Sequence, residues 1–226
     1  MRLDKFLTEC GLGTRSEVKK LIDENAIRVN GTCKVYPKTS INEKEDVILF
    51  RGEPITYKEF RYYVLNKKAG FVTAVEDYRD QTVMDLLPDW VVRKNLVPVG
   101  RLDKDTEGLL LFTNNGKLNH KLLSPKSHVD KTYYVEAKNI ISQNDIKKLE
   151  EGIDIGGYIT LPGKVEALES KKILLTINEG KFHQVKKMLE QIDNEVTYLK
   201  RISFGKLKLD DLELGEVKEV ELEDII

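Results

Sequence analysis

Apolar residues recur along this chain with two different periods, and the change of period divides it. Over the first 25 residues the spacing is helical: Leu3, Phe6, Leu7 and Cys10 make one stripe, and Val18, Leu21 and Ile22 make another. Gly11-Leu12-Gly13 breaks the first helix, and Thr14 with Glu17 forms the T-x-x-E capping pattern that opens the second. Asn25, which tolerates the left-handed conformation, stands where the chain leaves that helix. Ile27-Arg28-Val29 and Cys33-Lys34-Val35 read as two short strands, joined through Asn30-Gly31 as a hairpin. The run Val47-Ile48-Leu49-Phe50, within residues 41–52, predicts a strand that completes this module, and the polar stretch Thr56-Tyr57-Lys58-Glu59 a linker.

Beyond the linker, strand signals multiply, at residues 63–65, 96–99, 109–112, 132–135, 173–177 and 196–202. Helical stretches fall near residues 82–87, 117–123, 143–151 and 183–191. Strands and helices that mix without regular alternation predict an α+β domain on a largely antiparallel mixed sheet with flanking helices. The expected division is a module at residues 1–55, a linker at 56–60 and a larger domain at 61–226.

Composition narrows the class. In 226 residues, 40% hydrophobic side chains suffice for a packed core, so extended disorder is excluded. No apolar run is long enough to span a bilayer, and the charges in Met1-Arg2-Leu3-Asp4-Lys5 fall where a secretory signal would be apolar, so a cytoplasmic, membrane-free protein is expected. Cys10 and Cys33 make neither a disulfide framework nor a metal pattern, and His120, His128 and His183 lack zinc spacing; no metal is expected. The net charge of −1 averages unlike regions: residues 1–40 carry eight Lys/Arg against five Asp/Glu, whereas residues 205–226 carry three against eight. An acidic tail offsets a basic body, whose local patches can attract phosphate.

The candidate chemistry sits in Pro98-Val99-Gly100-Arg101-Leu102-Asp103-Lys104-Asp105-Thr106-Glu107-Gly108, just before the apolar run at residues 109–112. A short, continuous apolar run bounded by turn residues predicts a buried strand, which places Asp103 at the rim of a sheet. An aspartate in a turn ordinarily hydrogen-bonds nearby backbone N–H groups. Asp103 and Asp105, two residues apart on one turn, are poorly disposed to flank a sugar bond as glycosidase carboxylates do.

Gly100-Arg101-Leu102-Asp103, with Thr106, Gly108 and the following Leu-Leu-Leu-Phe-Thr-Asn, resembles the active-site segment of pseudouridine synthases, more narrowly the RsuA-type branch that modifies ribosomal RNA. Three further segments match in the same order: Asn66-Lys67-Lys68-Ala69-Gly70, Lys131-Thr132-Tyr133 and Asn178-Glu179-Gly180-Lys181-Phe182-His183-Gln184-Val185-Lys186-Lys187-Met188-Leu189. Lys68 stands where that family usually has proline, and Lys186 where many relatives have arginine. Arg2-Leu3-Asp4, Thr14-Arg15-Ser16 and Ile27-Arg28-Val29-Asn30-Gly31 resemble the ribosomal-protein-S4-type RNA-binding module.

The resemblance implies that Asp103 is catalytic, that Lys186 pairs with it, and that Tyr133 packs on the target base. It also implies that Arg101, Gln184 and Lys67 bind substrate, and that Arg2, Arg15, Lys19, Lys20, Arg28 and Lys34 contact RNA. Adjacent strand residues point to opposite faces, so Tyr133 and Tyr134 cannot both line the site. The implied activity is isomerisation of one flipped-out uridine in small-subunit (16S) ribosomal RNA, free or in an assembly intermediate, by a monomer without a cofactor. Segments such as Ser124-Pro125-Lys126-Ser127-His128 and His183-Gln184-Val185-Lys186 resemble the small-subunit branch. The alternatives are a sister enzyme acting on large-subunit (23S) RNA, and a non-catalytic RNA-binding assembly factor.

Overall fold

The computed structural model describes residues 1–226, which form two compact units: Met1–Arg61 with Asp89–Leu96, and Tyr62–Pro88 with Val97–Ile226. In the first unit the predicted stripes are the buried faces of two helices. Helix α1 (Leu3–Glu9) buries Leu3, Phe6 and Leu7, and α2 (Arg15–Asp23) buries Val18 and Ile22. The capping box forms as read: the Glu17 carboxylate accepts the Thr14 N–H at 2.7 Å while the Thr14 hydroxyl accepts the Glu17 N–H. Strands β1 (Ile27–Val29), β2 (Ile48–Phe50) and β3 (Glu53–Pro54) make a three-stranded antiparallel sheet over the same apolar core, which Val35 and Ile41 complete.

The expected hairpin is corrected here. Asn30 and Gly31 do make a tight turn, both with positive φ, and Val29 pairs with Thr32, but residues 33–35 are not a strand. The Asn30 side chain explains the substitution of partners. Its amide oxygen accepts from Val47 N–H and its amide nitrogen donates to Asp46, both at 2.9 Å, and its own N–H donates to the Val47 carbonyl. These bonds lay residues 46–50 against β1, so β2 takes the place expected for residues 33–35.

In the second unit the strands and helices in chain order are β4 (Tyr62–Lys67), β5 (Val97–Pro98), β6 (Glu107–Thr113), α3 (Gly116–Leu123), β7 (Lys131–Ala137), α4 (Gln143–Glu151), β8 (Lys164–Glu169), β9 (Lys172–Ile177), α5 (Gln184–Glu190), β10 (Val196–Phe204), β11 (Leu207–Lys208), β12 (Val217–Glu219) and α6 (Leu222–Ile225). One sheet runs β12-β4-β6-β10-β7-β9-β8, with β5 added on β6 and β11 on β10. All its pairings are antiparallel except β6 with β10. β4 is buried on both faces and β6 nearly so, which is why residues 109–112 read as a continuous apolar run. β7 alternates, with Tyr133, Val135 and Ala137 buried. One apolar cluster joins Val64, Leu109 and Leu111 to Leu118, Phe204 and Ile225.

The expected helix at residues 82–87 is a series of turns instead. Thr82 N–H donates to the Asp85 carboxylate and Val83 N–H to the Val72 carbonyl, and Pro88 follows before a helix can propagate. β8 escaped the sequence reading because almost all of its residues are exposed and four of its six are charged or small: Lys164, Glu166, Ala167 and Glu169.

Candidate active site

The loop between β5 and β6 carries Asp103 at the rim of the sheet, and its shape is set from beneath by a buried cation. Lys67, the last residue of β4, is wholly inaccessible to solvent. Its ammonium donates to four carbonyls: Lys68 (3.0 Å), Asp103 (3.2 Å), Lys104 (3.3 Å) and Thr106 (2.8 Å). In this structure Lys67 gathers the loop backbone beneath Asp103, with its ammonium spent on carbonyls. Burial pushes its pKa from 10.5 down to about 8, against the opposing carboxylates of Asp105, Glu107 and Asp103. Between those two values the unfolded chain binds the Lys67 proton more tightly than the fold does. The stability of the wild type relative to Lys67→Met is thus expected to rise with pH from about 8 towards 10.5, a slope readable from urea unfolding at several pH values.

Helix α5 supplies the facing cation. Lys186 Nζ lies 3.3 Å from one Asp103 carboxylate oxygen and 2.6 and 2.9 Å from the two of Asp105. The expected pairing with Asp103 is present, but Lys186 is shared with a second carboxylate. Burial raises the Asp105 carboxyl, yet the hydrogen bond and charge of Lys186 outweigh it and leave the group below its ordinary value. Both carboxylates in turn hold the Lys186 ammonium above its ordinary value, against its own burial. Asp103 stays reachable, with its side chain 26% exposed, while that of Asp105 is 72% exposed and turned to solvent. His183 Nε2 stands 3.6 Å from the other Asp103 oxygen.

His183 adopts a left-handed backbone (φ +53°) at the start of α5, and its ring stacks on Phe182 with centroids 3.8 Å apart. Gln184 stabilises that corner. Its side-chain oxygen accepts from Lys181 N–H at 2.8 Å and its nitrogen donates to Glu179 at 2.9 Å and weakly to the Met188 sulfur. With its amide engaged inside the loop, Gln184 braces residues 179–184 at the cavity wall.

Asp103, Arg101, Tyr133 and Lys186 all line one cavity of about 570 Å3, within the roughly 300–1,000 Å3 span of ligand sites. Strand parity decides between the two tyrosines. Tyr133 is 8% exposed and faces the cavity; Tyr134 lies on the opposite face, packs edge-on against Tyr198 and donates to Glu136 at 2.7 Å. The sequence reading gave no role to the lining residues Lys131, Asn178 and His183, which stand in its matched motifs, and it passed over Arg201. A signal for Arg201 existed, because it shares the inward parity of Leu199 in the strand read at residues 196–202. The cavity is thus a carboxylate held beside a cation, under an aromatic wall, on a braced loop.

In the first unit the six basic residues all face solvent. Arg15 and Lys19 lie four apart on α2, on an exposed stripe that flanks its buried Val18 and Ile22. Arg2 is tied to the Asp4 carboxylate by two hydrogen bonds, at 3.0 and 2.5 Å.

The family model for RNA pseudouridylate synthases matches residues 61–191, and that for the S4 domain matches residues 1–34. The chain is 38% identical to a ribosomal small subunit pseudouridine synthase A of Haemophilus influenzae, over 96% of this chain and 95% of the relative. It is 36% identical to a ribosomal large subunit pseudouridine synthase B of Bacillus subtilis, over 97% and 91%. A crystal structure of a pseudouridylate synthase superposes with a TM-score of 0.69 at 36% identity, covering 99% of this chain and 97% of the other.

Proposed function

Because the chain belongs to the RNA pseudouridylate synthase family, we propose that it isomerises one uridine of small-subunit ribosomal RNA, with Asp103 as the catalytic group. The observation that carries this reading is the Asp103 carboxylate opening onto a cavity walled by Tyr133 and flanked by Lys186. The reaction breaks the bond from ribose C1′ to uracil N1 and rejoins the ring through C5, with the C5 proton released and one proton returned to N1. It is redox-neutral, and product and substrate contain the same atoms. A base inside folded RNA is out of reach, so the uridine must swing out into the cavity. An ionised carboxylate there can act as nucleophile or as base, and the Lys186 ammonium favours its charged form.

Tyr133 stacks on the detached uracil and keeps it within reach while it turns. Arg101, exposed at the cavity rim, engages the phosphate backbone or fills the gap that the base leaves. The module at residues 1–55 brings the enzyme to structured RNA, with Arg15, Lys19, Lys20, Arg28 and Lys34 meeting phosphates. Arg2, bound to Asp4, contributes a weaker contact.

Asp105 marks the boundary of the proposal, since it holds Lys186 at the shorter distance. Asp105→Asn is expected to cost no more than about tenfold in turnover, because Lys186 then settles on Asp103 alone. A loss as large as that of an Asp103 variant, in the same tritium-release assay on [5-3H]uridine RNA, would move the catalytic role to Asp105.

The small-subunit target rests on the end-to-end match to the synthase A relative and on the segments around residues 124–128 and 183–186. Mapping pseudouridines in ribosomal RNA from cells lacking the gene tests it. One site is expected to vanish from 16S RNA; loss of a 23S site instead would reject the subunit assignment.

A further inference from the structure

Three of the residues that line the Asp103 cavity each carry a buried polar atom without a hydrogen-bond partner: Arg201 Nη2, Asn178 Oδ1 and Thr106 Oγ1. None belongs to the machinery assigned above. Arg201 is the most constrained of them. It is 2% exposed, its Nε is fixed by donation to the Leu109 carbonyl at 2.8 Å, and its guanidinium carbon lies 5.3 Å from the Phe204 ring centroid. It pairs across the β10–β7 ladder with Tyr133, so both side chains rise from the same face of the sheet. Lys131, two residues from Tyr133 on that face, lies 5.6 Å from the same Phe204 ring. An unmet buried donor on a cation is costly for the free protein, and such groups point to a ligand that supplies the acceptor.

We propose that Arg201 and Asn178 read the edge of the swung-out uracil, Arg201 donating to O4 and Asn178 accepting from N3–H. This deepens the reading of the cavity as a uridine site and rests on it. Uracil presents acceptor, donor and acceptor along that edge. Cytosine presents an amino donor at C4 and an acceptor at N3, so it reverses both contacts. An asparagine amide can turn over to suit either base, but a guanidinium has no acceptor to offer, so Arg201 carries the discrimination. The same hydrogen bonds grip the ring once its bond to ribose is broken. Their cationic side is reinforced by Lys131, whose pKa burial and the Arg201 charge push down to about 8.

The test is single-turnover conversion of a model RNA carrying uridine, 4-thiouridine, 2-thiouridine or N3-methyluridine at the target, by the wild type, Arg201→Lys and Asn178→Ala. A thiocarbonyl is a poor acceptor. The wild type is expected to lose about tenfold or more with 4-thiouridine and little with 2-thiouridine, and Arg201→Lys to lose much less on the 4-thio change. N3-methyluridine is expected to penalise the wild type more than Asn178→Ala. If the wild type processes 4-thiouridine like uridine, or if the 4-thio penalty is equal in wild type and Arg201→Lys, the proposal is overturned. The wild-type series needs no variant to fold. Conversion of plain uridine with no analogue effect would sink this inference alone, whereas no conversion of uridine at all would sink the reading beneath it.

Discussion

Asp103→Asn is expected to reduce uridine conversion by at least about 10^4-fold while leaving RNA affinity within about threefold. Asparagine keeps the shape and removes the charge, the nucleophile and the base together. The fold has little reason to respond. Lys186 retains Asp105 at 2.6 Å, and the loop backbone stays gathered by the Lys67 ammonium, which binds the Asp103 carbonyl and not its side chain. RNA affinity should persist because the basic residues of the first unit, well separated in sequence from this loop, supply phosphate contacts. Tritium release from [5-3H]uridine RNA measures the first quantity and fluorescence anisotropy the second. A parallel collapse of both would assign Asp103 a binding role, and turnover near that of the wild type would remove it from the chemistry.

Gly108→Ala is expected to be the most damaging single methyl in the second unit. Gly108 has φ +104°, a conformation that L side chains rarely adopt, and a Cβ there would lie 2.2 Å from the Arg201 carbonyl oxygen and 2.7 Å from its nitrogen. Both obstacles are backbone, so no rotamer change relieves them. The clash falls on the single parallel ladder of the sheet, where Arg201 pairs with Gly108. Forced φ strain together with separation of β6 from β10 should cost about 3–5 kcal/mol, enough to shift the urea midpoint by more than a molar unit. Because β6 opens from the catalytic loop and β10 carries Arg201, the folded remnant should also lose activity. A variant as stable as the wild type would contradict the close approach of these two strands.

What the sequence disclosed follows from how local each signal is. The capping box at Thr14 and Glu17 and the parity of Tyr133 against Tyr134 depend on residues a few positions apart, and the structure has both as read. The loop bearing Asp103 was legible for the same reason, bounded by glycines and an apolar run. The failures lie where long-range partners decide. The Asn30-Gly31 turn formed, but the strand beyond it lost its place to residues 48–50 because the Asn30 side chain recruits Asp46 and Val47. The roles expected of Lys67 and Gln184 came from the matching motifs. Only the fold shows that one spends its ammonium on four carbonyls and the other its amide on residues 179–188. Arg201 was hidden for the converse reason: 98 residues beyond Asp103, it enters the cavity only through the pairing of β10 with β7 and β6.

The central claim is that the Asp103 cavity converts a uridine in ribosomal RNA, and carbodiimide-dependent primer extension tests it most directly. Purified protein incubated with fragments of 16S RNA should produce a new alkali-resistant stop at one uridine, absent without enzyme and absent with Asp103→Asn. A stop that persists with Asp103→Asn, or RNA that is bound yet never modified, would contradict the account.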